Sequence, residues 1–379
     1  VAATEPEARR FSSRRGARRL LALALAACSL ALGRPAGATN HATGTLFYYA
    51  DSDKVQVLSP SLTGQVEVGP ITASARTSVD VVSAASVDLV SSGSPRGFTE
   101  QRVQVDASCA YDLGAGRAAS ALFALSREPD FLTFTGGVGT TWDIVRRQAT
   151  LSLSYAFSRS RVGRRDDTDF SERRDQHQLE LGVSPLLSKS AVADLVYALT
   201  VVEGFQSSAY RRVRLYEPGV SAHATAVPER VPELRVRHAL VLRVRKRFAR
   251  PLFGLLEYRA YADTWGVLAH ALRGRALVEL GPFTFGAEAR AYRQTGALFY
   301  RNRYETFPSA AELRTADKEL TSMWTALGGL HAEWTGKVGR LEALRVGLGG
   351  DVLYMRYLDF ERLPSRTAGM LSVDTTLEF

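Results

Sequence analysis

The sequence predicts an all-β chain: a transmembrane, antiparallel, up-and-down β-barrel of about sixteen strands, with fourteen as the alternative count. Three observations predict it. Beyond residue 38 the chain repeats runs of about ten to fifteen residues in which apolar and polar side chains alternate, the period of a strand with a different medium on each face. The connections alternate between tight turns and longer polar loops, the wiring of an outer-membrane barrel with short periplasmic turns and long outer loops. Finally, no stretch after residue 38 approaches the ~20 apolar residues that a spanning helix needs. The hydrophobic fraction is 45%, which suits a sheet that shows lipid only every second side chain.

Residues 1–38 read as a secretory leader rather than as part of the fold. Arg9, Arg10, Arg14, Arg15, Arg18 and Arg19 precede the apolar run 20–32, and Ala36-Gly37-Ala38 supplies a small-residue cleavage site. Cutting after Ala38 is expected; a lipoprotein-like box ending at Cys28 is the alternative. The leader holds seven Arg and two Glu, so without it the formal charge falls from +9 to +4. Most of the basicity then belongs to export, and nucleic acid is not an expected partner. Cys28 lies in the leader and Cys109 is left alone, which excludes an intrachain disulfide and a thiolate metal cluster. Cys109 is expected to pack as a small apolar group on its strand.

The runs fall at 43–50, 55–68, 71–82, 99–113, 117–126, 131–142, 147–162, 176–184 and 191–202. They resume at 233–248, 252–263, 266–280, 283–294, 321–335, 341–357 and 369–379. In 147–162, Leu151, Leu153, Tyr155 and Phe157 oppose Ser152, Ser154 and Ser158. Gly69-Pro70, Gly114-Ala115-Gly116 and Gly281-Pro282 make tight turns, whereas 163–173, 203–231, 295–319 and 358–366 are long or charged. Both chain ends then lie on the tight-turn side. Phe47, Tyr48, Tyr49, Trp142, Tyr261, Trp265 and Trp334 sit at run ends, where aromatic girdles belong. A two-sheet sandwich or a propeller is the soluble rival, but no blade-length repeat is present.

The final run, GMLSVDTTLEF, carries its alternation to the last residue. It resembles the ending of bacterial outer-membrane barrels, in which a terminal aromatic, here Phe379, is the signal read by the barrel-assembly machinery. The phrases FYYADSDKVQVLSPSL, VDVVSAASVD, ALSREPDF, SYAFSRSRVG, LSKSAVADLVYALTVVEGFQSSAYR, PERVPELRVRHALVLRVRKRF and YADTWGVLAHAL occur in that order. Together they resemble the DUF3570 family, exported bacterial proteins taken to be outer-membrane β-barrels. The resemblance spans residues 45–379 and implies the bacterial outer membrane as location. It brings no activity, catalytic residue or cofactor. Members are often encoded near flavin-transferase-like proteins, which implies a periplasmic redox or flavinylation partner.

Parity gathers many charges on the polar, lumen-facing side: Arg235, Arg237, Arg243, Arg245 and Arg247 on one run, and Glu257, Arg259 and Asp263 on the next. Arg273, Arg275, Glu288, Arg290, Arg345 and Asp351 continue the set. Such a wall can select permeants by charge, or it can be an interior laced with Arg–carboxylate pairs that fix register. Asp51 and Asp53, and Asp166, Asp167 and Asp169, offer clustered oxygens to a Ca²⁺ ion but lack the spaced EF-hand pattern, so they are expected to be solvated tips. The six histidines, His41, His177, His223, His238, His270 and His331, show no zinc spacing. His238 and His270 fall on lipid-facing sides near the outer ends of their runs, with no serine placed beside them for lipid hydrolysis. No nucleophile elbow, P-loop or dinucleotide fingerprint is present, so an enzyme is not expected. The expected role is a pore or partner-binding barrel; an envelope-acting enzyme and a surface adhesive barrel are the alternatives.

Overall fold

Strands with period-two alternation must satisfy every backbone group, and a sheet that closes on itself leaves no edge unpaired. The computed structural model describes residues 40–84, 98–220, 223–305, 309, 311–339 and 341–379. The expected leader, with its cleavage sites after Ala38 and at Cys28, lies outside the described residues, as does the loop carrying Ser92-Gly93-Ser94-Pro95. The strands are β1 His41–Asp51, β2 Val55–Val68, β3 Ile71–Ala84, β4 Phe98–Gly114, β5 Arg117–Arg127 and β6 Phe131–Ile144. Next come β7 Ala149–Gly163, β8 Ser171–Ser188, β9 Ala191–Gly204, β10 Arg212–Tyr216, β11 His223–Pro228 and β12 Leu234–Ala249. The chain finishes with β13 Leu252–Asp263, β14 Leu268–Leu280, β15 Phe283–Gln294, β16 Met323–Gly336, β17 Ala343–Tyr357 and β18 Ser365–Glu378.

Sixteen of these form one closed antiparallel barrel in chain order, with β10 and β11 left out as a separate hairpin. Closure is made by β1 on β18, in register from His41 opposite Glu378 to Asp51 opposite Ala368. A two-layered sandwich is thereby excluded. The hairpin is a correction to the sequence reading, which had 203–231 as a loop throughout. Strand β8 begins at Ser171, so the connection after β7 is shorter than the expected 163–173.

Following the registers round the ring separates two continuous faces. One carries Leu46, Leu58, Phe123, Val138, Leu240, Leu272, Leu330 and Leu371, all exposed, Leu330 to 72%. A water-soluble surface does not carry so wide an apolar belt. Cys109, on β4, is exposed on this face. The other face carries Ser, Thr, Arg and the carboxylates. Its upper members, at the end bearing the long connections (the loop end), are covered: Met355, Tyr357, Phe360 and Ala368 form a buried cluster against which Tyr49 and Tyr292 pack.

The aromatic girdle differs from expectation. Phe47, Tyr49 and Tyr261 lie on the polar face, because they pair in register with Ser372, Met370 and Ala239, and Trp265 is buried beneath a loop. Tyr48, Trp142 and Trp334 do lie on the apolar face, which also presents Tyr155, Tyr197, Tyr258 and Trp324, all exposed or partly so.

Two tight tips at the loop end are built alike. Asp51 accepts backbone bonds from Asp53 and Val55 (2.9 and 3.0 Å), and Asp263 accepts them from Trp265 and Val267 (2.9 and 3.0 Å). A short carboxylate that bonds backbone two residues on folds a turn without help from elsewhere.

Candidate polar wall and the loop roof

Strands β12–β15 place arginine and carboxylate on one face because all their charged residues except Lys246 and Arg293 occur at odd positions of β12–β14 and at even positions of β15, and the registers join those positions. Arg237 faces Asp263 and Arg243 faces Glu257 between β12 and β13; Arg273 faces Arg290 and Arg275 faces Glu288 between β14 and β15. Long guanidinium stems do not all bond straight across. Arg243 does, donating to Glu257 at 2.8 and 2.6 Å. Arg235 reaches diagonally to Asp263, where its guanidinium also lies 4.0 Å from the Trp265 ring centre. Arg273 reaches diagonally to Glu288 at 2.8 and 2.6 Å, and Arg245 to Asp194 of β9 at 2.8 Å.

The diagonals have a consequence for the residues directly opposite. Asp263 is already taken by Arg235 and by the Tyr261 hydroxyl (2.6 Å), so Arg237 has no carboxylate left. Glu288 is taken by Arg273, so Arg275 has none. Among the described residues Arg237, Arg275 and Arg290 make no ion pair, and the Nε of each is buried without a hydrogen-bond partner. Arg259 stands 3.7 Å from Glu257, and Arg247, toward the opposite or turn end, makes no ion pair among the described residues. Arg345 pairs with Glu378 at 2.5 Å, and Asp351 lies 3.3 Å from His331. Gly329 is needed here, because a Cβ would come within 1.7 Å of the Asp351 carboxylate.

The loop end is roofed by the two long connections. The β10–β11 hairpin buries Val213 and Leu215 against Tyr304, and the backbones join where Tyr216 donates to the Tyr304 carbonyl (2.8 Å) and Arg230 and Arg314 exchange bonds (3.0 and 2.8 Å). Gly204 turns the chain from β9 into this roof at φ +95°, where a Cβ would meet the Arg173 carbonyl at 2.3 Å. Only glycine tolerates both the space and the dihedral. The roof is braced to distant rim positions. Lys318 pairs with Asp53 of the β1–β2 tip at 3.2 Å and Tyr210 donates to Asp130 of the β5–β6 tip, while within the roof Arg211 pairs with Asp317 at 2.6 Å. Arg366 on β18 lies 3.5 Å from Glu319 and 3.4 Å from Asp51.

Asp51 and Asp53 are therefore not solvated tips: both carboxylates are fully covered and engaged by cations. Asp166, paired with Arg164, is open to solvent as expected. Among the described residues no group of three His, Cys, Asp or Glu is placed to hold a metal. Burial pushes the Glu229 and Glu319 carboxyls up from the usual range, despite Arg211 near the first and Arg366 near the second.

Sequence reasoning missed one regular feature of the apolar face. The Nδ1 atoms of His177, His238 and His270 each share a hydrogen bond with a tyrosine hydroxyl: Tyr155 at 2.7 Å, Tyr197 at 2.8 Å and Tyr258 at 2.7 Å. Each pair joins neighbouring strands diagonally. The spacing of Tyr and His across two strands held the signal, but only with the register known. For His238 and His270 the partner is a tyrosine, not the serine that lipid hydrolysis would need.

Residues 53–170 and 163–346 match the family described as "Protein of unknown function (DUF3570)". The chain belongs to the DUF3570 family. A search among curated proteins finds no match for this family member. Among solved structures, Pseudomonas aeruginosa OpdK, crystallised with vanillate, is 9% identical at a TM-score of 0.45, covering 92% of this chain and 100% of that one. Pseudomonas aeruginosa OprD is 9% identical at 0.44, covering 92% and 97%. CdiB from Acinetobacter baumannii is 7% identical at 0.49, covering 89% and 60%. The barrel assignment stands on closure and register, not on these likenesses.

Proposed function

We propose that the chain is an outer-membrane barrel whose apolar face meets lipid, whose polar face lines the lumen, and which passes small anions along an arginine wall. One observation carries the reading: Arg237 on β12, Arg275 on β14 and Arg290 on β15 share the polar face with no carboxylate of their own. Paired arginines fill and brace a barrel, whereas unpaired ones leave a positive field in a confined space. The cost of burying them uncompensated is met when an anion or water occupies the wall.

The roof supports gated passage, because the path out at the loop end crosses residues held by ion pairs. Planar-bilayer recording tests the reading. The expected result is anion-selective current that loses its selectivity in Arg275→Glu/Arg290→Glu; the absence of any conductance, with the roof severed as well as intact, would contradict it.

The roof also favours a second reading, a barrel that receives a partner from the turn end. Under it, the periplasmic redox or flavinylation partner implied by the family would enter a lumen closed on the far side. Retention of an envelope protein by the turn-end half, lost in Arg275→Glu/Arg290→Glu, would support this reading over the first.

A further inference from the structure

We propose that the apolar face of β14–β17, near the loop end, binds a glycolipid whose head group carries two phosphates. The inference rests on the reading that this face meets lipid. His270, Arg293, Trp324 and Arg356 stand side by side on four successive strands, each opposite the next in register. Neighbouring strands are about 4.8 Å apart, which sets the two arginine stems about 10 Å apart on either side of the indole. Neither Arg293 nor Arg356 makes an ion pair or hydrogen bond among the described residues. At the same end of β7 and β8, by contrast, Arg159 and Arg173 share Asp175. A charge on the lipid face is tolerated near the head groups but costly at the midplane, so this row fixes the depth at which phosphates lie.

The space below the row is shaped for a chain. A cleft of about 410 Å³, bounded by Tyr258, His270, Arg293 and Trp324, is floored by Ala291 and Ala326. The next row toward the barrel waist is Gly274, Ala289 and Gly328. A Cβ on Gly274 or Gly328 would meet nothing within 4 Å, so the trough continues downward. Two separated guanidiniums match two phosphates at opposite ends of a sugar head group, because each forms a charge-assisted, two-pronged bond with a phosphate. The indole between them, packed against Tyr354 at 5.3 Å yet 40% exposed, offers its remaining open surface to the sugar. A lipid with one phosphate engages half of the row.

The test uses the full barrel in detergent with three probes: diphosphoryl lipid A, its monophosphoryl form, and cardiolipin. Binding is read by native mass spectrometry and by Trp fluorescence. Diphosphoryl lipid A is expected to bind at least tenfold more tightly than the other two. Arg293→Gln/Arg356→Gln should abolish that preference, while Arg127→Gln, which alters an arginine elsewhere on the same face, leaves it intact. Flotation with phosphatidylcholine vesicles is run on every variant. A barrel that floats but binds the three probes equally, or prefers cardiolipin, overturns the site alone. A barrel that does not float overturns the membrane reading beneath it.

Discussion

Two stretches of the barrel wall use one backbone for opposite purposes. Along β5–β7 the polar face is mostly short and uncharged: Thr133 bonds Ser160 and Thr135 bonds Ser158, each across one strand pair at 2.8 Å. Along β12–β15 it is long and charged, with arginines reaching past their opposite neighbours to carboxylates two residues away. Hydroxyl pairs close on themselves and leave nothing over. Arginine ladders do not, because each diagonal bond removes the carboxylate that register had offered to another arginine. The difference teaches that the unpaired cations follow from an excess of arginine, nine on the polar face of β12–β15 against four carboxylates, with the diagonal bonds deciding which arginines go without.

The largest effect that sharpens the contrast should come from Asp263→Asn. This carboxylate holds Arg235, the Tyr261 hydroxyl and two backbone amides, and losing its charge strands a covered guanidinium. A loss of about 3–5 kcal/mol is expected, read as a lower urea midpoint for the folded barrel on unheated gels. Next, Arg275→Glu/Arg290→Glu should abolish or reverse anion preference in reversal-potential measurements, whereas Ser152→Ala/Ser154→Ala on the uncharged β5–β7 stretch should leave it unchanged. Equal effects from the two pairs would dissolve the comparison.

A third change tests the roof against both walls. Lys318→Met removes the cation that ties the roof to the covered Asp53 carboxylate, so the roof should loosen and conductance noise should rise with little change in selectivity. Acidity is expected to act in the opposite sense. The Glu229 and Glu319 carboxyls are raised by burial, so the closed roof binds protons more readily than the open one. Closure is therefore favoured below the ordinary carboxyl range and weakened as pH rises through the raised values. Open probability should climb as pH rises above the ordinary carboxyl range, and Glu229→Gln should flatten that climb. The smallest effect belongs to the neutral wall: Thr135→Val removes one hydroxyl pair and should cost about 1 kcal/mol.

What was legible in the sequence was whatever depends on period two alone. Leu151, Leu153, Tyr155 and Phe157 announce a strand face without any knowledge of partners, and the tight turns announce where strands reverse. Partner choice was not legible, because whether Arg273 or Arg275 takes Glu288 depends on register and stem length rather than on parity. The burial of Asp51 and Asp53 was hidden for a similar reason: Lys318 and Arg366, which cover them, are more than 250 residues away. The β10–β11 hairpin escaped because its strands are short and lie among prolines and charges; it folds against Tyr304, not against the barrel sheet. Phe47 and Tyr49 were misread as girdle residues because position at a strand end was weighed above parity.

The central claim is that hydrocarbon and water lie on opposite sides of one strand, and adjacent residues of β12 test it most directly. With Cys109→Ser as background, single spin labels at Leu242 and at Arg243 are compared in vesicles by collision with oxygen and with a water-soluble nickel chelate. Oxygen should dominate at 242 and the chelate at 243. Labels that respond alike at both positions would contradict the account.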